Sequence, residues 1–325
     1  MTPELLKLSA YHGAGWSARN TDLGAEIGKE TGIWSALRVD SEYKPLKAVL
    51  LYCPGEEVND VQQPNTVQHI ARIHPQEIAR EYQQLADALR ALGVAVHYIR
   101  PDVLQPGTRL DKYNLMFARD LFFNTKVGAV VARMGSAVRA GEEKFAMHAL
   151  AQLAIPINKT ITNHGLFEGA DALWINPKTV MCGLGKRTNS DGFQQLRAVL
   201  KAQGVATLAV DLPAATQHLL GILHIVDADL ALVRTQIASK RLINILKRAG
   251  IAIIDVPETE EVLVRQGMNV LTVKPRVIVM PVNCPELKRL YTACGITIAA
   301  EIGIDQILNG AGGLACATGI LAREI

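Results

Sequence analysis

The chain has 325 residues, 49% of them hydrophobic, and a formal net charge of +3 at pH 7. This length can bury a large core without disulfides or metal ions, in one large domain or in two ordinary ones. The basic residues form no block, aromatic residues make up only 5%, and no apolar run reaches the roughly 18–20 residues of a membrane span. The sequence therefore predicts neither a nucleic-acid partner nor a membrane protein.

The cysteines predict free thiols. Their number is odd, their spacings are wide, and none has the Cys-x-x-Cys or Cys–His spacing of a zinc site. The N-terminus "MTPELLKLSAYHGAGW" has no basic stretch followed by an apolar one. We therefore expect a cytoplasmic protein with reduced cysteines. They are Cys53, Cys182, Cys284, Cys294 and Cys316.

The first predicted elements follow a segment without a readable period. We interpret residues 1–40 as an N-terminal extension that packs on the body or arches over one end of it, and residues 41–325 as one domain. The domain begins with an apolar strand, an amphipathic helix with three- and four-residue periodicity, and a second strand. These span 46–54, 75–93 and 94–101.

A unit of two strands, a helix and a third strand then follows four times. Each pair of apolar, β-branched runs flanks a short turn and precedes a helical pattern. The turn centres lie about 50 residues apart, which indicates repeated supersecondary units. The predicted hairpins span 121–134, 172–184, 222–233 and 269–281, and the predicted helices span 141–154, 192–204, 238–250 and 284–295.

The last apolar run, 313–321, can supply the hairpin partner that the strand over 46–54 lacks, and so close a ring. The predicted fold is therefore an α/β five-bladed propeller of ββαβ units, which leaves few sheet edges exposed. A doubly wound α/β fold is the alternative. The repeated hairpins argue against it, because a doubly wound sheet alternates single strands with helices.

Charged residues stand at the starts of two of the repeat strands, where a rigid scaffold presents functional groups. Arg119 and Asp120 of "MFARDLFF" interrupt an apolar strand, and they form either an internal ion pair or part of a site. Glu168 and Asp171 of "GLFEGADALW" bracket two small residues. They either cap a turn or bind a ligand.

A histidine and a cysteine complete the candidate set. His218 of "QHLLGILH" precedes a strand and is the better catalytic candidate, whereas His224 lies inside that strand and fits a packed position. Cys316 of "LNGAGGLACAT" is either a buried filler or a nucleophile among glycines that leave amides exposed. Two acids, a histidine and a thiol suit nucleophilic attack on a cationic carbon. They suit metal ligation poorly, because no pair has helix spacing, and we expect no metal ion.

The motifs "FARD", "FEGAD", "GLGKRTN", "HLLG" and "GAGGLACAT" occur in this order. The set resembles the guanidino-group modifying superfamily, the penteins, which includes arginine deiminases, dimethylarginine dimethylaminohydrolases and amidinotransferases. The resemblance covers about residues 45–325. It implies a five-bladed α/β propeller, a small-molecule guanidino substrate, and no metal or organic cofactor.

The resemblance also implies a role for each catalytic residue. Cys316 matches the nucleophile and His218 the general acid and base. Glu168 matches the carboxylate that grips the guanidinium nitrogens. Asp120 is either a second such carboxylate or a group that orients the histidine and the substrate.

By the same resemblance, Arg139 and Arg187 bind the α-carboxylate of an amino-acid substrate, a role that suits a planar guanidinium. Asp171 and Arg119 complete the predicted substrate-binding set. The sequence departs from arginine deiminases and amidinotransferases at Leu220, where an aspartate is expected. This departure favours a substituted or smaller guanidine, or another amidine-like group.

The implied activity is hydrolysis of the guanidino group of arginine or a derivative, through a covalent S-alkylthiouronium on the cysteine. An amidinotransferase and a non-catalytic pentein that binds a small ligand are the alternatives. The pocket's outer wall is expected from residues 1–40 and 102–116, and a homo-oligomer is compatible with the sequence.

Overall fold

Five separate sheets of three strands each form the blades of the fold. The computed structural model describes residues 2–28, 32–104 and 111–325. The strands are β1 (Leu46–Leu51), β2 (Ala95–Tyr98), β3 (Phe122–Thr125), β4 (Gly128–Val131), β5 (Ile157–Thr160), β6 (Ala172–Asn176), β7 (Thr179–Leu184), β8 (Ala206–Asp211), β9 (Leu223–Asp227), β10 (Leu230–Val233), β11 (Ala252–Asp255), β12 (Leu271–Lys274), β13 (Val277–Pro281), β14 (Thr297–Ile302) and β15 (Gly319–Arg323).

Every blade has the same pairing pattern. Its middle strand is antiparallel to its hairpin partner and parallel to the strand that follows the helix. In the first blade the partner comes from the other end of the chain, because β15 pairs with β1 and Ile320 lies opposite Val49. The predicted five-bladed α/β propeller and its closure by the C-terminal strand are confirmed.

The helices pack their apolar stripes against the blades. In α1, Ile78, Tyr82, Leu85 and Leu89 recur at the spacing of one helical face and are buried. The helices are α1 (Pro75–Ala91), α2 (Pro101–Leu104), α3 (Glu143–Gln152), α4 (Ser190–Ala202), α5 (Lys240–Arg248), α6 (Glu260–Leu263), α7 (Pro285–Ala293), α8 (Asp305–Asn309) and α9 (Leu314–Ala317). Each of the five helices predicted from periodicity is present, with ends that differ by a few residues.

Polar side chains join neighbouring blades where their first strands meet. Asn124 of β3 donates to the carbonyl of Leu321 in β15, and the indole of Trp174 in β6 donates to the carbonyl of Asn124. Arg323 of β15 donates to the carbonyl of Thr272 in β12 at 2.9 Å. Because these side chains are buried, the bonds both satisfy them and fix the blades relative to one another.

Two local predictions are wrong. The last strand begins at Gly319, not at residue 313, because residues 314–317 form the short helix α9, with Ala317 donating to the carbonyl of Gly313. Arg119 and Asp120 do not interrupt a strand: they form a 3-10 turn that ends before β3 begins. In both places a turn brings the polar residue to the end of a blade.

The segment before β1 contacts the second blade. Ser35 donates its backbone N–H to the carbonyl of Ala154, and Val39 donates to the carbonyl of Thr125. The division at residue 40 stays a prediction. Among the described residues, no helix is both long enough and apolar enough to cross a bilayer.

Candidate active site

The predicted catalytic residues stand on equivalent turns. Asp120, Glu168, His218 and Cys316 each lie just before the first strand of a different blade, respectively β3, β6, β9 and β15. Asn269 holds the same place before β12 in the remaining blade. The ring thus brings together residues that are almost 200 positions apart in sequence.

The turns that carry Asp120, His218 and Cys316 open into one small cavity. Its wall contains Gln68, Asn114, Phe117, Asp120, Arg139, Arg187, Gln217, His218, Gly310, Ala311, Gly312 and Cys316. Of the expected outer wall, Asn114 lies in 102–116, and residues 105–110 of that range lie outside the described residues. No described residue of 1–40 lines the cavity, and Gln68 occupies part of the wall instead.

His218 lies between two carboxylates. Its Nε2 is 2.7 Å from an oxygen of Glu168, and its Nδ1 is 3.9 Å from Asp120. Glu168 is fully buried and also accepts from the backbone N–H of Gly135 at 2.9 Å. The histidine is therefore held in one orientation by groups that favour its charged form.

Arg139 carries a guanidinium into this carboxylate cluster. Its Nη1 is 2.5 Å from Asp120 and 3.7 Å from Glu168, and its Nε donates to Glu142 at 2.9 Å. Nη2 donates to the carbonyl of Asn114. Most N–H groups of Arg139 therefore already have partners within the chain. Its binding of a substrate carboxylate stays a prediction. Glu142, which is fully buried, was missed by the sequence analysis.

The charges around His218 set its protonation. Burial lowers the pKa of His218, but the charge of Asp120, the hydrogen bond with Glu168 and the charge of Asp171 outweigh burial and raise it to about 9. For Glu168, burial favours the neutral acid, yet the bond to His218 and the charges of Arg139 and Arg187 hold the pKa well below its usual range. The pair is therefore an imidazolium–carboxylate pair at neutral pH.

The raised pKa of His218 predicts a loss of stability as pH rises. The folded state keeps a proton up to about pH 9 that the unfolded state releases near 6.5, so the unfolding free energy falls between these values, by at most roughly 3 kcal/mol. Denaturant unfolding at pH 6, 7.5 and 9.5 measures it, and His218→Asn should remove most of the decline. An equal decline in that variant would contradict the assignment.

The thiol of Cys316 is neutral in the resting site. Burial and then the charge of Asp120 raise its pKa to about 11. Asn269 opposes this effect, because its Nδ2 donates to the sulfur at 3.0 Å. The other amide atom, Oδ1, accepts from the backbone N–H groups of Ala315 and Cys316. One buried amide thus anchors α9 and stabilises the thiolate.

Loss of the Asn269 donor is expected to make Cys316 less reactive. Asn269→Asp retains an oxygen that can hold α9 but replaces the donor by a negative charge, and Asn269→Ala removes both. A lost hydrogen bond to a charged sulfur corresponds to roughly a tenfold or greater fall in thiolate population. Site-resolved alkylation with iodoacetamide at pH 8, read by peptide mass, measures the rate. Wild-type rates in both variants would exclude this role.

Side chains from other parts of the chain pack closely against the glycines beside Cys316. A Cβ on Gly313 would lie 2.6 Å from the side chain of Asn269, and one on Gly312 would lie 2.3 Å from the ring of Phe117. The space above these glycines is therefore filled by the chain's own side chains. The glycines allow Asn269 and Phe117 to reach the backbone that carries the thiol.

The remaining predicted residues lie in three places. Asp171 is fully buried behind the site, where it accepts from Thr188 and from the backbone N–H of Leu219. Burial raises the pKa of Asp171 to about 7. Arg187 lines the cavity 3.4 Å from Glu168. Arg119 and Leu220 instead line a second cavity.

Asp120, Glu168 and His218 also satisfy the distance requirement for a metal site, since one ligand atom from each lies within 4.8 Å of the others. Arg139 already contacts both carboxylates, and His218 holds a proton under their influence. A metal ion would have to displace both positive charges. The geometry therefore favours an ion-pair cluster over a metal centre, and the expectation of no metal stays a prediction.

Comparison with solved structures places this fold in a class. A structure of dimethylarginine dimethylaminohydrolase from Pseudomonas aeruginosa, a cysteine-to-serine mutant complexed with citrulline, superposes with a TM-score of 0.69 at 17% identity, over 86% of this chain and 100% of that one. An amidinotransferase from Microseira wollei, of the saxitoxin biosynthetic pathway, gives 0.67 at 15% identity, over 89% and 98%. The fold is thus that of the pentein superfamily.

Sequence comparison identifies the family to which the chain belongs. The family model described as "N,N dimethylarginine dimethylhydrolase, eukaryotic" matches residues 54–322, and the chain belongs to this family. An uncharacterized protein of Aeropyrum pernix is 27% identical over 252 residues, 76% of this chain and 84% of that one. The dimethylarginine dimethylaminohydrolase of P. aeruginosa is 21% identical over 251 residues, 77% and 91% of the two chains.

Proposed function

We propose that the chain hydrolyses a guanidino C–N bond of arginine or an arginine derivative, with Cys316 as nucleophile and a ureido compound as product. The observation that carries this proposal is the carboxylate cluster. Asp120 and Glu168 already hold one guanidinium, that of Arg139, in the cavity that contains Cys316 and His218. A substrate guanidinium in this cavity can donate to the same cluster, because Oδ1 of Asp120 accepts no hydrogen bond from the described residues.

The protonation states support a two-stage reaction. A bound guanidinium lowers the pKa of the neutral Cys316 thiol, which releases its proton to solvent because His218 is already protonated, and the thiolate that results attacks the guanidinium carbon. His218, protonated at neutral pH, donates its proton as the C–N bond breaks and ammonia or an amine leaves. The neutral imidazole then takes a proton from water, which attacks the S-alkylthiouronium and releases the ureido product and the thiolate.

Arg187 is the better placed of the two predicted arginines to bind a substrate carboxylate. It lines both the small cavity and an open groove beside it, which also contains Lys186. A substrate whose guanidinium lies over Cys316 can therefore extend its charged end past Arg187. Leu220 does not line this cavity, so its effect on the choice between arginine and substituted guanidines would be indirect.

A screen of guanidino compounds tests the proposal. Arginine, methylated arginines and smaller guanidines are incubated with the protein, with and without amine acceptors such as glycine and ornithine. Ureido product without an acceptor supports hydrolysis, whereas amidino transfer that needs the acceptor would replace it by an amidinotransferase. No turnover of any guanidine, with no reaction of Cys316 toward a haloacetamidine, would indicate a non-catalytic binding protein.

A further inference from the structure

A second small cavity adjoins the turns that carry the candidate site. Arg119 and Ala315 lie in its wall, next in sequence to Asp120 and Cys316 of the site. The other residues of the wall are Glu42, Leu173, Leu220, His224, Ile225, Val270, Leu271, Thr272 and Arg323. The mechanism above uses none of its side chains.

The wall of this cavity has an excess positive charge. Arg119 and Arg323 are buried there, and Glu42 is the one acid among the described residues that line it. Arg119 donates through Nη2 to both oxygens of Glu42, at 3.0 and 2.9 Å. Burial and the charge of Arg119 lower the pKa of Arg323 to about 10, against the attraction of Glu42, so Arg323 stays charged at neutral pH.

Polar atoms in this wall lack partners. Arg323 donates through Nη1 to the carbonyl of Lys44 and through Nη2 to that of Thr272, but its Nε has no partner among the described residues. The Nε2 of His224 likewise has none in the described part of the chain. Burial and the charge of Arg119 lower the pKa of His224 to about 3, against backbone hydrogen bonds with Leu220 and Val270, so the ring is neutral. In the tautomer that carries its hydrogen on Nε2, it offers one N–H without adding charge.

We propose that this cavity binds a small monovalent anion of the halide class, between Arg119, His224 and Arg323. A buried charge without a counter-charge is strongly destabilising, and an unpaired buried donor adds to that penalty. One anion removes both penalties. A water molecule would satisfy the donors but would leave the charge, and it is therefore the weaker occupant.

Bromide is the probe that tests the site directly. The full chain is purified and crystallised in sodium bromide, and anomalous differences are collected at the bromine absorption edge. The expected result is a peak enclosed by Arg119, His224 and Arg323. A cavity without a peak, or with density that fits water in the bromide crystal, would overturn the proposal.

Thermal unfolding gives a second test in solution. At equal ionic strength, Tm in bromide or chloride is expected to exceed Tm in gluconate by about 2–5 °C. Leu220→Asp places a carboxylate in the same cavity wall and should abolish this difference, while the uncharged Leu220→Asn should retain it. Arg323→Gln, which removes the excess charge, should also abolish it. An unchanged halide effect in Leu220→Asp or Arg323→Gln would contradict the proposal.

Discussion

Replacement of Cys316 by serine is expected to lower kcat for the guanidine identified in the screen by at least about 10³-fold. The reason is specific to this site. Burial and Asp120 already raise the pKa of the thiol to about 11, and a serine hydroxyl ionises far less readily than a thiol. The substrate cation can lower the pKa of a thiol enough to form a nucleophile, but it cannot do so for the alcohol.

Cys294 provides the matched control. It is a free, half-buried thiol at the end of α7, outside the cavity wall. Cys294→Ser should keep wild-type activity. A haloacetamidine should add its mass to the Cys316 peptide in the wild type and in Cys294→Ser, and thermal melting should show both variants folded. Activity within tenfold of wild type in Cys316→Ser would disprove a cysteine nucleophile.

The fold was accessible from sequence because each blade repeats one local pattern. A hairpin of apolar residues needs a covering helix, and the four internal copies show both at a spacing of about 50 residues. Closure by the terminal strands was also predictable, since the first strand had no partner in sequence. The start of β15 was not predictable, because α9 forms where Asn269 ties down the backbone of Ala315 and Cys316.

Asn269 shows what the sequence analysis could have found and did not. The repeats place one residue before the first strand of every blade, and four of those places were recognised by titratable side chains. The fifth place, in "QGMNVLTV", holds an amide, which attracts attention only once the five positions are compared. A comparison of this position across all five blades would have identified Asn269.

The ion pairs of Arg139 illustrate a different limit of prediction from sequence. Sequence and resemblance mark Arg139 as a binder of carboxylates, and in the structure it does bind carboxylates, those of Asp120 and Glu142. Which carboxylate an arginine meets depends on how three turns pack. Gly169 is one residue that allows the turns to pack closely, because a Cβ there would lie 2.2 Å from the carbonyl oxygen of Phe122. Such close backbone contact between blades leaves no periodic signal.

Glu168→Gln is expected to lower kcat/KM by about 10³-fold or more. Among the described residues, Glu168 is the one fully buried carboxylate that contacts His218, Arg139 and Arg187 together. The substitution keeps the shape of the side chain and removes its charge. A substrate guanidinium then loses one of its two counter-charges, and the N–H of His218 can donate only to a neutral amide oxygen.

The pKa of His218 separates a chemical role of Glu168 from a structural one. Burial alone lowers the pKa of His218, and the acids around it raise it to about 9. Asp120 and Asp171 still favour the imidazolium, but without the charge of Glu168 the pKa should fall from about 9 toward 6.5, so that at pH 8 most His218 rings lack the proton that the leaving amine needs. NMR titration of the His218 ring in wild type and Glu168→Gln measures this change.

Glu142→Gln is the control that decides the interpretation. Glu142 is equally buried and touches the same Arg139, but it makes no contact with His218. Burial raises the pKa of Glu142 to about 7, against the charge of Arg139. Near pH 7 the Glu142→Gln substitution therefore removes less negative charge than Glu168→Gln does. It should leave the His218 titration near 9 and lower activity much less than Glu168→Gln. If both variants lost activity equally while His218 still titrated near 9 in each, Glu168 would act only by holding Arg139, and the proton donor would have to be sought elsewhere.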